Sequence, residues 1–466
     1  MFLLSVLLAV QVQSGSDVQR PKSEWEVERE SMRPAKERHV WFLDHESTRP
    51  ARGSMPNLIS YQVNVDLAGN NIVGDAANEP SIAVDPTNPN RMAIGWRQFD
   101  NVASDFRQAG HAYSTNGGQT WTNNGPFTPG TFRSDPILAS SPTGQFYYDS
   151  LLTVTSNDMW VSNNWGNNWI GPYNAYGGDK TWITVDQGFG RGRGKIYASW
   201  SAFSSGTGNR LFMTSHDGGQ TFTYPVPMPG SPTFGSLCAG PNSEVYVAGT
   251  RPNNTGLCMA RSFNAFNPWQ RTTFDISRVI SSTYDIGPSN IINPAGLSGM
   301  VWVGAAPTNT PLVGNVYVVA TVGSFAGQRL SVVLFRSTDR GLTWSAPIRI
   351  DRNLGTYTNA FHWFGTMSVA PNGRLDVVWN DTGLDANQTT PTTCVTMYSY
   401  SMDGGTTWTT PQQLTIPWKF GVGYPQQNKI GDYYHTISQN DGVHLAFSAT
   451  FNNEQDVYYM WIPSAN

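Results

Sequence analysis

Cysteine, charge and long apolar runs are all scarce in this chain. Only Cys238, Cys258 and Cys394 occur among 466 residues. So small and odd a set excludes a disulfide framework and reads as buried free thiols, although Cys238 and Cys258 are near enough in sequence to pair. Charged residues make up 13% of the chain, about half the usual ~25%. The net charge is −4 and the pI about 6.0, which excludes the basic face of a nucleic-acid binder. The one long apolar run, residues 2–10, falls short of the ~20 residues that cross a bilayer. No nucleic-acid partner and no transmembrane segment are expected.

What is abundant points to strands. Gly (46) and Pro (30) punctuate the chain, and 12% of residues are aromatic, 17 of them Trp. Many turns joined to flat or branched apolar side chains suit short strands rather than helices. The N-terminus differs from the rest. Residues 1–14 read as a signal peptide with an apolar core at 2–10 and a small residue, Ser14, before the cut. Residues 15–57 form a charged leader, partly disordered or a short helix capped by Ser23 and Glu26. The protein is therefore expected outside the cytoplasm, secreted or periplasmic, and monomeric. Residues 58–466 are expected to be the folded unit.

Internal repeats set the architecture. The octet Ser114-Thr-Asn-Gly-Gly-Gln-Thr-Trp121 returns as Ser215-His-Asp-Gly-Gly-Gln-Thr-Phe222, Ser337-Thr-Asp-Arg-Gly-Leu-Thr-Trp344 and Ser401-Met-Asp-Gly-Gly-Thr-Thr-Trp408, with eroded copies at Ser162 and Ser262. Asn or Asp at the third position can bond its own backbone, and Gly at the fifth can take positive φ. Each octet is thus a hairpin turn. A calcium loop would need more oxygens than one carboxylate per octet supplies, though a structural calcium ion elsewhere stays open. Between octets come seven apolar hairpins, the first at 80–84 with 92–96 and the last at 443–447 after 435–438. Seven hairpins against six octets leave the last unit one strand short, and residues 59–65 can supply it. The expected fold is all-β, a seven-bladed β-propeller of four-stranded antiparallel blades closed by the N-terminal strand, with six blades as the alternative.

The octets resemble the Asp-box (BNR) repeat of the sialidase superfamily, over roughly residues 72–466. The resemblance implies a β-propeller and a carbohydrate-active protein. It departs from sialidases in blade number and in residues 78–84, Asn-Glu-Pro-Ser-Ile-Ala-Val, where an Arg-Ile-Pro motif belongs.

In such a ring the segments entering the inner strands converge on the axis, opposite the octets. These segments carry Glu79, Arg133 with Asp135, Asp179 with Lys180, Asp285, His362 with Trp363, and Lys429, Asp432, Tyr433, Tyr434 and His435. Loops after the second strands add Arg97, Asp100, Arg251 and Asp381. Glycoside hydrolysis needs two carboxylates or, in sialidase-type chemistry, a tyrosine nucleophile. Glu79, Asp135, Asp179, Asp432 and Tyr433 are the candidates for catalysis. Arg97, Arg133, Lys180, Arg251, His362, Trp363 and His435 are the candidates for binding a glycan or polysaccharide, with the arginines suited to an acidic sugar. A lyase would instead use Tyr433 with His435 or His362, and a binding propeller would need no catalysis. No cofactor or metal motif stands out.

Overall fold

The computed structural model describes residues 53, 55, 58–252, 255–352 and 359–464. The expected signal peptide, and all but two positions of the leader, lie outside the described residues. Seven antiparallel sheets follow one another along the chain; in six of them the first four strands pair in sequence order, and the seventh borrows a strand from the N-terminus. Blade 1 runs Ala76–Val84, Met92–Phe99, Gln108–Ser114 and Thr122–Asn123. Blade 2 begins at Ser134–Ser140, blade 3 at Trp182–Val185, blade 4 at Thr233–Ala239, blade 5 at Trp302–Ala305, blade 6 at His362–Val369 and blade 7 at His435–Gln439. Blade 7 takes its fourth strand from Ser60–Gln62, which pairs with Asp456–Pro463 through Ser60↔Met460 and Gln62↔Tyr458. This is a seven-bladed propeller closed by its N-terminal strand. Apart from one short turn of helix at Ala202–Ser204, the described residues form strands and loops.

Inner strands of successive blades lie side by side around the axis. Every residue of Ala76–Val84 is buried, as is every residue of the second strand Leu375–Asp381. Exposed positions gather at the rim, as in Ile170–Tyr176. Two layers buried on both faces explain the low charge of the chain: each unpaired charge there would cost several kcal/mol. Cys238, Cys258 and Cys394 are free thiols.

The octets are hairpin turns with a shared hydrogen-bond scheme. The serine Oγ accepts from the fifth residue's N–H, at 2.9 Å for Gly219, 2.8 Å for Gly341 and 2.8 Å for Gly405. The third-position carboxylate accepts from the seventh residue's N–H, as from Thr221 (3.0 Å) and Thr343 (2.9 Å). Gly341 has φ 84°, as its position requires, but Arg340 before it also has φ 60°. Two consecutive left-handed residues give the turn its shape, and only the second was evident in the sequence. The octets share a face with the hairpins between first and second strands, since Gly117 N–H donates to Asn90 O (3.0 Å) and Arg340 N–H to Gly314 O (2.9 Å).

Candidate functional site

The segments entering the inner strands meet at the opposite face, and each contains a left-handed residue: Glu79 (φ 52°), Asp135 (48°), Lys180 (54°), Phe234 (51°), Gly299 (131°), Phe364 (57°) and Gly431 (102°). Register shifts at 78–81, 134–137, 233–236 and 363–366 mark the bulges that result. A bulge of this kind re-aims the following side chains. In blades 1, 2 and 3 the left-handed residues are Glu79, Asp135 and Lys180, which meet in one cluster. In blades 7, 1, 2 and 3 that neighbourhood is charged. In blades 4, 5 and 6 it holds Phe234, Gly299 and Phe364.

On the charged side the ion pairs run between blades. Lys180 Nζ lies 3.1 Å from Asp135 Oδ2, 3.2 Å from Asp179 Oδ1 and 3.0 Å from Asp432 Oδ2. Lys429 Nζ is 2.6 Å from Asp432 Oδ2 and 3.3 Å from Glu79 Oε1. Arg97 donates to Glu79 Oε1 at 2.6 Å and also to Gln427. Ser134 Oγ donates to Asp135 Oδ1 at 2.7 Å. Glu79, Asp135, Asp179, Lys180, Asp432, Arg97 and Lys429 are all buried, none more than 2% exposed. Burial pushes the Glu79 carboxyl up to about 8, against the pull of Arg97 and Lys180. Burial also acts to raise Asp135, but Lys180 and Arg97 prevail and hold it below the ordinary carboxylate range. Four carboxyls thus meet three cations, and a proton on Glu79 balances the formal charge. The place a metal ion would take among Asp135, Asp179 and Asp432 is spanned by the Lys180 ammonium.

Two segments cover this layer. Asn293 Nδ2 donates to Gly431 O (2.7 Å) and Ile430 N–H to Asn293 Oδ1 (2.9 Å), while Leu297 N–H donates to Asp432 Oδ1 (2.7 Å). A Cβ on Gly296 would sit 2.6 Å from Asp432 Oδ1 and 2.9 Å from Lys429 Cδ. A side chain at Gly296 would push the covering segment off the acids. Beneath the charges the channel is filled by aromatics. Tyr433 packs edge-on against Trp182 (5.3 Å) and donates to Pro136 O (3.1 Å), and His435 lies over Trp302 (5.7 Å).

Several expected residues are elsewhere or in other roles. Tyr433 is engaged in packing, its hydroxyl donating to Pro136 O, and burial pushes its phenol well above the usual range. His435 accepts the Ile82 N–H at 3.2 Å, and burial lowers its pKa to about 3. It is a neutral packing residue rather than a sugar contact. Arg133 turns into its own blade, 2.6 Å from Asp158 and over the Trp160 ring. Strand alternation puts 133 and 135 on one side, but the left-handed backbone at Asp135 breaks that alternation. Arg251 donates to Thr255 O within the blade 4 loop. His362 lies between Asp351 (3.4 Å) and Asp381 (3.1 Å); burial works against its charge, but the two carboxylates win and raise its pKa. Trp363 is fully buried against Phe420 and offers no platform to a sugar. Gln427 was not foreseen, since nothing in a Gln-Gln-Asn run marks which amide will reach an arginine.

No protein-family model matches the chain, and no curated protein does. Among solved structures, a Dyadobacter fermentans protein of unknown function is similar at 12% identity and TM-score 0.49, over 89% of this chain and all of that one. A Fusarium graminearum α-L-arabinofuranosidase is similar at 12% identity and TM-score 0.41, over 90% of this chain and 98% of that one. The phage phi92 endosialidase is similar at 10% identity and TM-score 0.46, over 88% of this chain and 70% of that one. The blade count rests on the strand pairing above, not on these similarities.

Proposed function

We propose that the chain is an exported, carbohydrate-active propeller of glycoside-hydrolase type, working through the axial charge layer. One observation carries this reading. Glu79 is protonated at neutral pH while Asp135, held by the same cations, is ionised. Neighbouring carboxyls whose environments drive their pKa values apart are the arrangement that acid–base catalysis uses. Glu79 Oε2 is buried with no hydrogen-bond partner, so its proton is not spent within the protein. Phenylalanines fill the corresponding place in blades 4 and 6, so ring closure does not require charge there. The octets' likeness to the Asp-box repeat supports a sugar as substrate. In this reading Glu79 gives its proton to the glycosidic oxygen and Asp135 acts on the opposite side, as base or nucleophile. Substrate reaches them when the segments at 289–297 and 426–432 part. A screen of aryl glycosides and of neutral and acidic polysaccharides tests it. The wild type should release sugar from at least one member, and Glu79→Gln should lose at least 100-fold with its fold intact. No release across the screen, or an unimpaired Glu79→Gln, rejects the reading. N-terminal sequencing of secreted material, expected to begin near residue 15, tests export.

A second reading is a non-catalytic binding propeller. It is favoured by the burial of the axial charges and by their ion pairs with one another, which also clasp blades 7, 1, 2 and 3 together. Glycan binding without release in the same screen selects it.

A further inference from the structure

The octet face carries a feature that the axial reading does not use. Blades are clasped there by a contact repeated at three interfaces: the residue before the octet serine reaches the carbonyl of the fourth octet residue in the next blade. Thr214 Oγ1 donates to Ala265 O (3.4 Å), Arg261 Nη1 to Arg340 O (2.6 Å), and Arg336 Nη1 to Gly404 O (3.2 Å). Between blades 2 and 3 the equivalent residue is Val161, and the fourth octet residue of the next blade is Gly218. Valine has no donor and is four atoms shorter than arginine, so the clasp is missing at this interface. A cleft of about 670 Å³ lies there, lined by both residues. That volume falls within the ~300–1,000 Å³ usual for small-molecule sites.

The cleft's chemistry is uneven. Asp217 is occupied within its own octet by Ser215, Thr221 N–H and Thr221 Oγ1. His216 is lowered by burial and by Lys195, and is neutral. The charges left facing the cleft are cationic. Lys195 Nζ gives one hydrogen bond, to His216 O (2.9 Å), out of three donors. Arg193 bonds loop carbonyls through Nη1 alone. Opposite them stand an amide pair, Gln145 donating to Asn163 (2.8 Å), and the exposed side chain of Ile170 (53% accessible). Two cations, two amides and an apolar wall match a pyranose ring that carries an anionic group. We propose that the cleft between blades 2 and 3 is a binding site for an anionic saccharide, separate from the axial layer and independent of its activity.

Calorimetry with oligogalacturonate and with a sulfated oligosaccharide tests this on the full protein. Binding of either probe in 50 mM salt, weakened severalfold at 300 mM, supports the site; carboxylate and sulfate preference is read from which probe binds. Val161→Arg restores the missing clasp and should abolish binding. Ile170→Glu, at an exposed rim position, places a carboxylate beside the cations and should weaken binding at least tenfold without a change in melting temperature. Asp135→Asn at the axis should leave binding unchanged. Absence of binding by the wild type, or undiminished binding by Ile170→Glu, overturns the proposal. Binding lost in Asp135→Asn but kept in Ile170→Glu moves the ligand to the axis and overturns it as well.

Discussion

The two halves of the axial ring share a backbone and differ in what they bury. Blades 3 and 4 each carry a left-handed, non-glycine residue where the chain enters the inner strand, at φ 54° and 51°, yet one is Lys180 and the other Phe234. One half carries Phe234, Gly299 and Phe364 at the equivalent positions, and a buried ionic cluster there, His362 with Asp351 and Asp381, stands apart from the axial ion pairs. The half containing Glu79, Asp135, Lys180 and Asp432 is held by ion pairs whose members have all lost their hydration. Burying such pairs gains little over apolar packing of the same volume, while removing one partner is costly. A ring built from near-equivalent blades therefore shows where the fold tolerates charge without needing it. Positions of that kind are where function is to be sought.

The sharpest way to break this comparison is to remove Lys180. Its ammonium faces three carboxylates, so Lys180→Met should cost about 3–5 kcal/mol. Phe364→Leu in the apolar half should cost about 1–2 kcal/mol, as a large-to-small change in a packed site. Urea denaturation of the two variants measures both. Equal losses would mean that the charged half is no more strained electrostatically than the apolar one.

A smaller effect lies in the pH dependence. Glu79 has its folded-state pKa raised to about 8 from the ordinary 4.5. The folded state therefore binds the proton more tightly than the unfolded chain, and the resulting stability is present in full below about 4.5. It is lost as pH rises through 8. Asp149 and Asp456, each pushed by burial to about 7, act in the same direction. Thermal unfolding should show the wild type losing stability between pH 5 and pH 8. Glu79→Gln, which carries no titrating proton, should lose less over the same interval. A parallel decline in both proteins would place the titration elsewhere.

The architecture was legible because it is periodic. Octets and hairpins recur, and the count of seven against six left one strand to be supplied by Ser60–Gln62. The axial acids were legible for a related reason: each lies at or near the start of an inner strand. What escaped was whatever depends on direction or on distant loops. Arg133 and Asp135 are two residues apart and should point alike, but one bulge sends Arg133 to Asp158. The covering segments at 289–297 and 426–432 have no octet, no alternation and no register from which to place them. Trp363 read as a glycan-binding candidate because its segment enters an inner strand, yet Phe420 packs against it. The missing clasp at Val161 is present in the sequence, one residue before Ser162. It becomes meaningful only once Arg261 and Arg336 are seen to reach the next blade.

The smallest expected effect concerns the octets, and it sharpens the comparison by showing no difference between halves. Asp217 in blade 3 and Asp339 in blade 5 accept from the same partners: the octet serine at 2.9 and 2.7 Å, and the threonine N–H at 3.0 and 2.9 Å. The threonine hydroxyl donates to each as well, at 2.5 and 2.6 Å. Both carboxylates titrate below the ordinary range, Asp339 at about 2, because these donors outweigh a slight burial. Their stabilisation is present above the unfolded pKa and is lost as pH falls through the folded one. Each sits near solvent, where a net hydrogen bond contributes about 1 kcal/mol. Asp217→Ala and Asp339→Ala should therefore each cost about 1 kcal/mol at pH 7, within error of one another, and less at pH 3. The octets lie at the far end of the blades from the axial charges, so nothing couples them to which half of the ring they serve. A markedly larger loss for Asp217→Ala would show that the blade 3 octet depends on the charged axis, and the two faces would have to be treated as one system.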